Sequence, residues 1–159
     1  MTYGTVFRFA LAVLLLSSSS AFAADASSAA LEMVKKLRLG DNLGTMGSQV
    51  ATNTQTYRNM VQMVGADRAQ ALIRDELSKT RPKYQDQWDR NLAAAYAESF
   101  TSNELESIAE KQKASPYANK FLAKQSDVGR SMQSKSTGLL QQYVAEALNS
   151  AFSKAMPKK

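Results

Sequence analysis

An all-α fold follows from three features of the sequence. Glycine and proline are few, 7 and 3 of 159 residues; alanine is abundant; and apolar residues recur at spacings of three and four almost throughout the chain after about residue 28. These features predict a single compact bundle of about six helices with a bent C-terminal helix, following a cleaved signal peptide. Residues 1–23 read as that leader. Arg8 and the terminal amine are its charges, Phe9 to Leu16 is a short apolar run, a serine stretch follows, and Ala21-Phe22-Ala23 supplies the cleavage positions. An apolar run of about eight residues falls well short of the roughly 20 that a membrane-spanning helix needs, and no later segment is longer. The mature chain is therefore expected to be soluble, to have no transmembrane segment, to lie in the periplasm and to start near Ala24, with 24–27 a flexible lead-in.

The helical domain is expected over 28–156. Its first helix runs from about Ser28 to Leu39, burying Leu31, Val34 and Leu37, and stops at Gly40-Asp41-Asn42. A second spans about Leu43 to Val64 with Leu43, Met46, Val50, Tyr57, Met60, Val61 and Val64 as its stripe; its threonines, Gly44 and Gly47 make it dependent on packing. Asp67 opens the third as a cap with Gln70 reaching back, and Ala69, Leu72, Ile73 and Leu77 are its buried face. Thr80-Arg81-Pro82 predicts a break, with Pro82 starting a fourth helix that carries Tyr84, Trp88, Leu92, Ala95, Tyr96 and Ser99. Thr101 and Glu104 form a capping box, and Phe100 staples to Leu105, ahead of a fifth helix with Leu105, Ile108 and Ala109 inside. It ends near Ala114. Ser115-Pro116 begins the last helix, with Tyr117, Phe121 and Leu122 inward. About 40 residues of straight helix would span some 60 Å, so a bend is expected at Ser126–Gly129, or failing that at Ser136–Gly138. Beyond it Met132, Leu139, Leu140, Tyr143, Val144, Leu148 and Phe152 face the core, and 157–159 is a tail.

Composition removes whole classes of chemistry. The chain contains no cysteine and no histidine, which eliminates disulfides, thiol nucleophiles, histidine-based triads and the commonest zinc and copper ligands. No cofactor and no metal site is expected. Basic residues number 20 against 14 acidic, a net +6, of which Arg8 belongs to the leader. A moderate positive charge serves solubility and also draws a protein to anionic envelope surfaces. The basic residues are dispersed, with no groove-reading motif, and nucleic acid is not an expected partner.

Trp88, Tyr96, Phe100-Thr101, Glu104-Leu105, Ile108, Ser115-Pro116, Lys120 and Phe121-Leu122 together resemble the bacterial secreted family catalogued as domain of unknown function 2059. The resemblance covers 88 to about 143. Lys111-Gln112 stands where members tend to have aromatics, and Ala118 where they usually have glycine. The resemblance implies an exported helical domain with no established activity and hence no catalytic residues to carry over.

Candidate sites remain few. From Asp86 to Glu110 six acids face Arg90 alone, and then Lys111, Lys113, Lys120 and Lys124 follow with no acid until Asp127. Lysines at a helix start suit a phosphate or carboxylate, or a partner's acidic surface; the plainer reading is a solvated face partly paired with Glu104, Glu106 and Glu110. The uncharged stretch Asn42–Tyr57, with Met46, Met60 and Met63 near it, suits a homodimer or partner interface, or else a neutral solvent face. Met60 and Met63 at i, i+3 match a soft-metal pair, but read better as core. Tyr84, Trp88 and Tyr96 either fill the core or line an apolar pocket between helices. Carboxylate-only hydrolysis would need a pair such as Asp86 with Asp89, or Glu104 with Glu106, across a cleft. The expected function is a non-enzymatic binding protein of the bacterial envelope, contacting a protein or an anionic surface. The alternatives are a carrier of a small apolar or acyl ligand and a carboxylate-only hydrolase.

Overall fold

Local signals and packing compete at every boundary of the computed structural model, which describes residues 19–156. The charged start and apolar run of the expected leader, and the tail 157–159, lie outside the described residues. Six α-helices are present among them: α1 (Ser19–Lys36), α2 (Leu43–Thr52), α3 (Gln55–Val64), α4 (Ala66–Ala97), α5 (Ser102–Lys111) and α6 (Ala118–Ala155), with 3-10 turns at Leu39–Asn42 and Gln112–Ala114. The all-α bundle is as expected. Its partition differs, because one expected helix is two and two expected helices are one.

The first helix starts earlier than expected, and residues 24–27 belong to it, with Ala26 buried. Met33 and Val34 are buried, whereas Leu31 and Leu37 are half-buried. The expected second helix breaks at Asn53-Thr54. Thr52 and Asn53 side chains donate to Gln49 O at 3.2 and 2.8 Å, and Thr54 Oγ1 accepts from Tyr57 N at 3.2 Å as the cap of α3. Polar side chains that bond to nearby backbone end one helix and start the next. Gly65 at φ 82, rather than Asp67, stands at the start of α4.

Pro82 does not end a helix. It sits inside α4 on the exposed side, and from across the bundle Tyr143 Oη donates to Leu77 O at 2.9 Å. The missing N–H of Pro82 leaves Ser78 O, four residues earlier, without its ladder donor, and Ser78 is exposed, where water reaches it. The last helix likewise runs unbroken through Ser126–Gly129 and Ser136–Gly138. Asp127 does not cap a new helix. It pairs with Lys124 at 2.8 Å and Arg130 at 2.5 Å along the helix surface.

The long helices α4 and α6 lie antiparallel, joined by Glu76–Ser150, Lys83–Glu146, Asn91–Ser136 and Tyr96–Gln125. Helix α1 packs on α4 and α5, while α2 and α3 lie across α4 and α6. Gly47 lets α2 approach closely, since a Cβ there would stand 2.5 Å from Tyr143 Cε1 and 3.1 Å from Leu77 Cδ2. The core joins Met33, Leu43, Met60, Ile73, Leu105 and Tyr143 from all six helices. Leu122 is 69% exposed and Met63 43% exposed, so neither faces inward as expected; Met46 and Val50 are each 37% exposed.

Candidate functional site

A groove of about 670 Å3 runs between the 3-10 turn, α2, α4 and α6. Its floor is apolar: Trp88 and Leu92 from α4, Val128, Met132 and Leu140 from α6. Met46 and Val50 of α2 form one wall. Those two are exposed because the groove is open beside them, which accounts for apolar side chains left in water on a helix with an otherwise packed stripe. The rim carries the amides of Asn42, Gln125, Gln133 and Gln141. Among the described residues no charged one lines it, in a chain whose residues are 21% charged.

The side chains of the floor are fixed by neighbours. Trp88 Nε1 donates to Asn42 Oδ1 at 3.1 Å, tying the 3-10 turn to α4. Asn91 Nδ2 donates to Ser136 Oγ and Lys135 O, both at 3.0 Å, and Ser136 Oγ in turn donates to Met132 Sδ at 3.2 Å. Tyr96 stacks on Phe121 with centroids 5.3 Å apart and planes within 6°, and burial holds its phenol above the ordinary tyrosine value. An apolar floor and an amide rim make a surface that receives uncharged, largely apolar groups.

Of the three aromatics singled out from the sequence, Trp88 and Tyr96 line this groove and Tyr84 does not. Tyr84 is turned to the far side, where its hydroxyl donates to Glu146 Oε2 at 2.7 Å and its ring lies 5.5 Å from Tyr143. The α6 half of the groove was not anticipated as a site. Its signal was the run of Gln, Ser, Thr and Gly between Gln125 and Gln141, read above as a place to bend.

The four lysines do not form one patch. Lys120 bonds Glu104 at 2.7 Å, with its ammonium 4.9 Å from the Phe100 ring centroid, and so locks the start of α5 to α6. Lys124 pairs with Asp127. Lys111 and Lys113 are exposed in the turn after α5, and Lys113 lines a second cavity together with Lys36 and Arg38. Of the carboxylates weighed for hydrolysis, Asp86 and Glu106 are exposed, and one member of each pair is engaged in holding the fold. Burial acts to raise Glu104, but Lys120 and the Thr101 N–H, which donates at 2.9 Å in the capping box, outweigh it and hold the carboxyl below its usual range. Asp89 is buried, accepts from Gln85 Nε2 at 2.8 Å and lies against Gly40. Met60 is buried and Met63 exposed, so the pair does not share one environment.

No family model, no curated protein and no solved structure matches this chain. No helix among the described residues is long and apolar enough to cross a membrane.

Proposed function

We propose that this is a non-enzymatic binding protein of the bacterial envelope, exported by its leader, and that it receives an uncharged apolar segment of a partner protein in the groove between α2, α4 and α6. One observation carries the reading: a continuous groove, apolar at its floor and amide-rich at its rim, with no charged side chain among the described residues that line it. An apolar floor stabilises buried side chains of a partner by about 25 cal/mol per Å2 covered. The rim amides offer donors and acceptors to a partner's peptide groups, and Met46 and Met132 adapt to its shape. The groove stands open along Met46, Val50, Gln133 and Gln141, which suits a polypeptide better than the enclosed cavity a carrier requires. Export rests on the leader-like pattern of residues 1–23, with its short apolar run and the small residues Ala21 and Ala23 at the cleavage positions.

Trp88 is the chain's one tryptophan, and it reports on the groove floor. A synthetic peptide of leucine, alanine and glutamine is expected to shift its emission saturably. The same peptide is expected to lose that effect against Gly129→Glu, which sets a carboxylate in the groove at a position where a Cβ meets nothing within 4 Å. A shift by decanol, with none by the peptide, would instead favour the carrier of a small apolar ligand.

A further inference from the structure

We propose that the cavity between the end of α1 and the α5–α6 junction is a separate site for a single-chain amphiphile with an anionic head group. It is a solvent-open cleft of about 650 Å3, within the range of small-molecule sites, about 300–1,000 Å3. Leu37 and Leu39 beyond α1, Ile108 of α5, and Phe121 and Leu122 of α6 supply apolar walls. Among the described residues Leu122 is the most exposed of the large hydrophobic side chains, at 69%; a chain lying in the cavity would cover it.

The charge at this cavity is all of one sign. Lys36, Arg38 and Lys113 line it, and no carboxylate among the described residues does. Among the described residues Lys36 and Lys113 form no ion pair, and Arg38 meets Asp41 at 2.5 Å. The first turn of α6, with Ala118 and Asn119, also borders it and adds the positive end of a long helix. Apolar walls beside unpaired cations match a ligand that carries both an acyl chain and an anion. A small anion leaves the leucines wet, and a neutral chain leaves the cations without a partner.

The backbone marks the same place. Arg38 at φ 55 and Gln112 at φ 49 are the two non-glycine residues with positive φ among the described residues, and both line this cavity. Left-handed backbone at a side-chain-bearing residue persists where surrounding structure imposes it, and such positions collect at ligand sites. Here it turns the chain sharply after α1 and after α5, which brings three cations from two distant segments to one opening.

Calorimetric titration of the purified protein with dodecanoate, kept below its micelle threshold, tests the site. Saturable one-site binding is expected, with acetate and dodecyltrimethylammonium binding at least tenfold more weakly. Lys36→Glu combined with Lys113→Glu should weaken dodecanoate at least tenfold and Leu122→Gln several-fold. All three positions are exposed, and unchanged thermal melts would verify the fold. Gly129→Glu, in the other groove, should leave dodecanoate binding as it was. Equal binding of the cationic amphiphile, retention of affinity after charge reversal, or loss in Gly129→Glu would each overturn the assignment. So would binding to phosphatidylglycerol vesicles without any binding of free dodecanoate, which would indicate a membrane surface as the partner.

Discussion

Glu76 shows how a single buried acid joins two helices. It is 4% exposed and accepts from Ser150 Oγ at 2.5 Å and Lys79 Nζ at 3.3 Å, with Lys154 Nζ as a third partner. Lys154 and Ser150 outweigh burial and lower its pKa to about 2. A depressed acid contributes stability above its unfolded value, near 4.3, and that contribution is lost as pH falls toward 2. Glu76→Gln is therefore expected to cost about 2 kcal/mol at neutral pH, with the gap to the native chain closing between pH 5 and pH 2 in urea titrations. Glycines at two other positions make opposite predictions. Gly47→Ala drives a methyl against the fully buried Tyr143 ring and should cost about 1–3 kcal/mol. Gly138→Ala enters open space within α6 and should gain about 0.5–1 kcal/mol. Thermal denaturation of the pair checks both signs. None of this was legible in the sequence, where Gly47 reads as weak propensity and Glu76 carries no local signal.

At the scale of elements, legibility followed the range of the interaction that decides each boundary. The capping box at Thr101 and Glu104 is local, needs four residues, and was readable as it stands. The buried faces of α4 and α5 were readable too, because Leu72, Ile73, Leu77, Trp88, Leu105 and Ile108 repeat at helical spacing. Thr52-Asn53-Thr54 also carried its signal locally, but as caps and back-bonds rather than as poor helix formers. Pro82 and Asp127 were misleading: α4 continues through Pro82, whose unpaired carbonyl partner at Ser78 is on the solvent side, and Asp127 is taken up by flanking cations on an already continuous helix. The helix α6 extends about 57 Å because α4 runs antiparallel beside it and α2 and α3 cover further parts of it. Tyr143→Phe should accordingly destabilise by about 1–2 kcal/mol, and hydrogen exchange should quicken most in α4 around Ser78–Pro82. Uniform quickening along the chain would mean that this bond does not support that stretch of α4.

For the molecule as a whole, the fold class lay in composition and periodicity, while the groove did not. Its two sides come from Met46 and Val50 near one end of the chain and from Gln125 to Gln141 near the other, and only the antiparallel pairing of α4 with α6 joins them. Absence of charge was visible in the first segment and was read as an interface there. On α6 the sequence is interrupted by Asp127, Arg130 and Lys135, and its uncharged face became visible once the two segments met. The basic junction divided in the opposite sense, with Lys120 and Lys124 taken into ion pairs and Lys113 joined by Lys36 and Arg38. Binding through the uncharged groove is the central claim, and a photoreactive residue in place of Gln133, incorporated in living cells, tests it most directly. The account predicts an adduct with an envelope protein that disappears when Gly129→Glu is added and does not form from Asn149, an exposed position of α6 outside the groove. An adduct from Asn149 of equal yield, or one indifferent to Gly129→Glu, would contradict it.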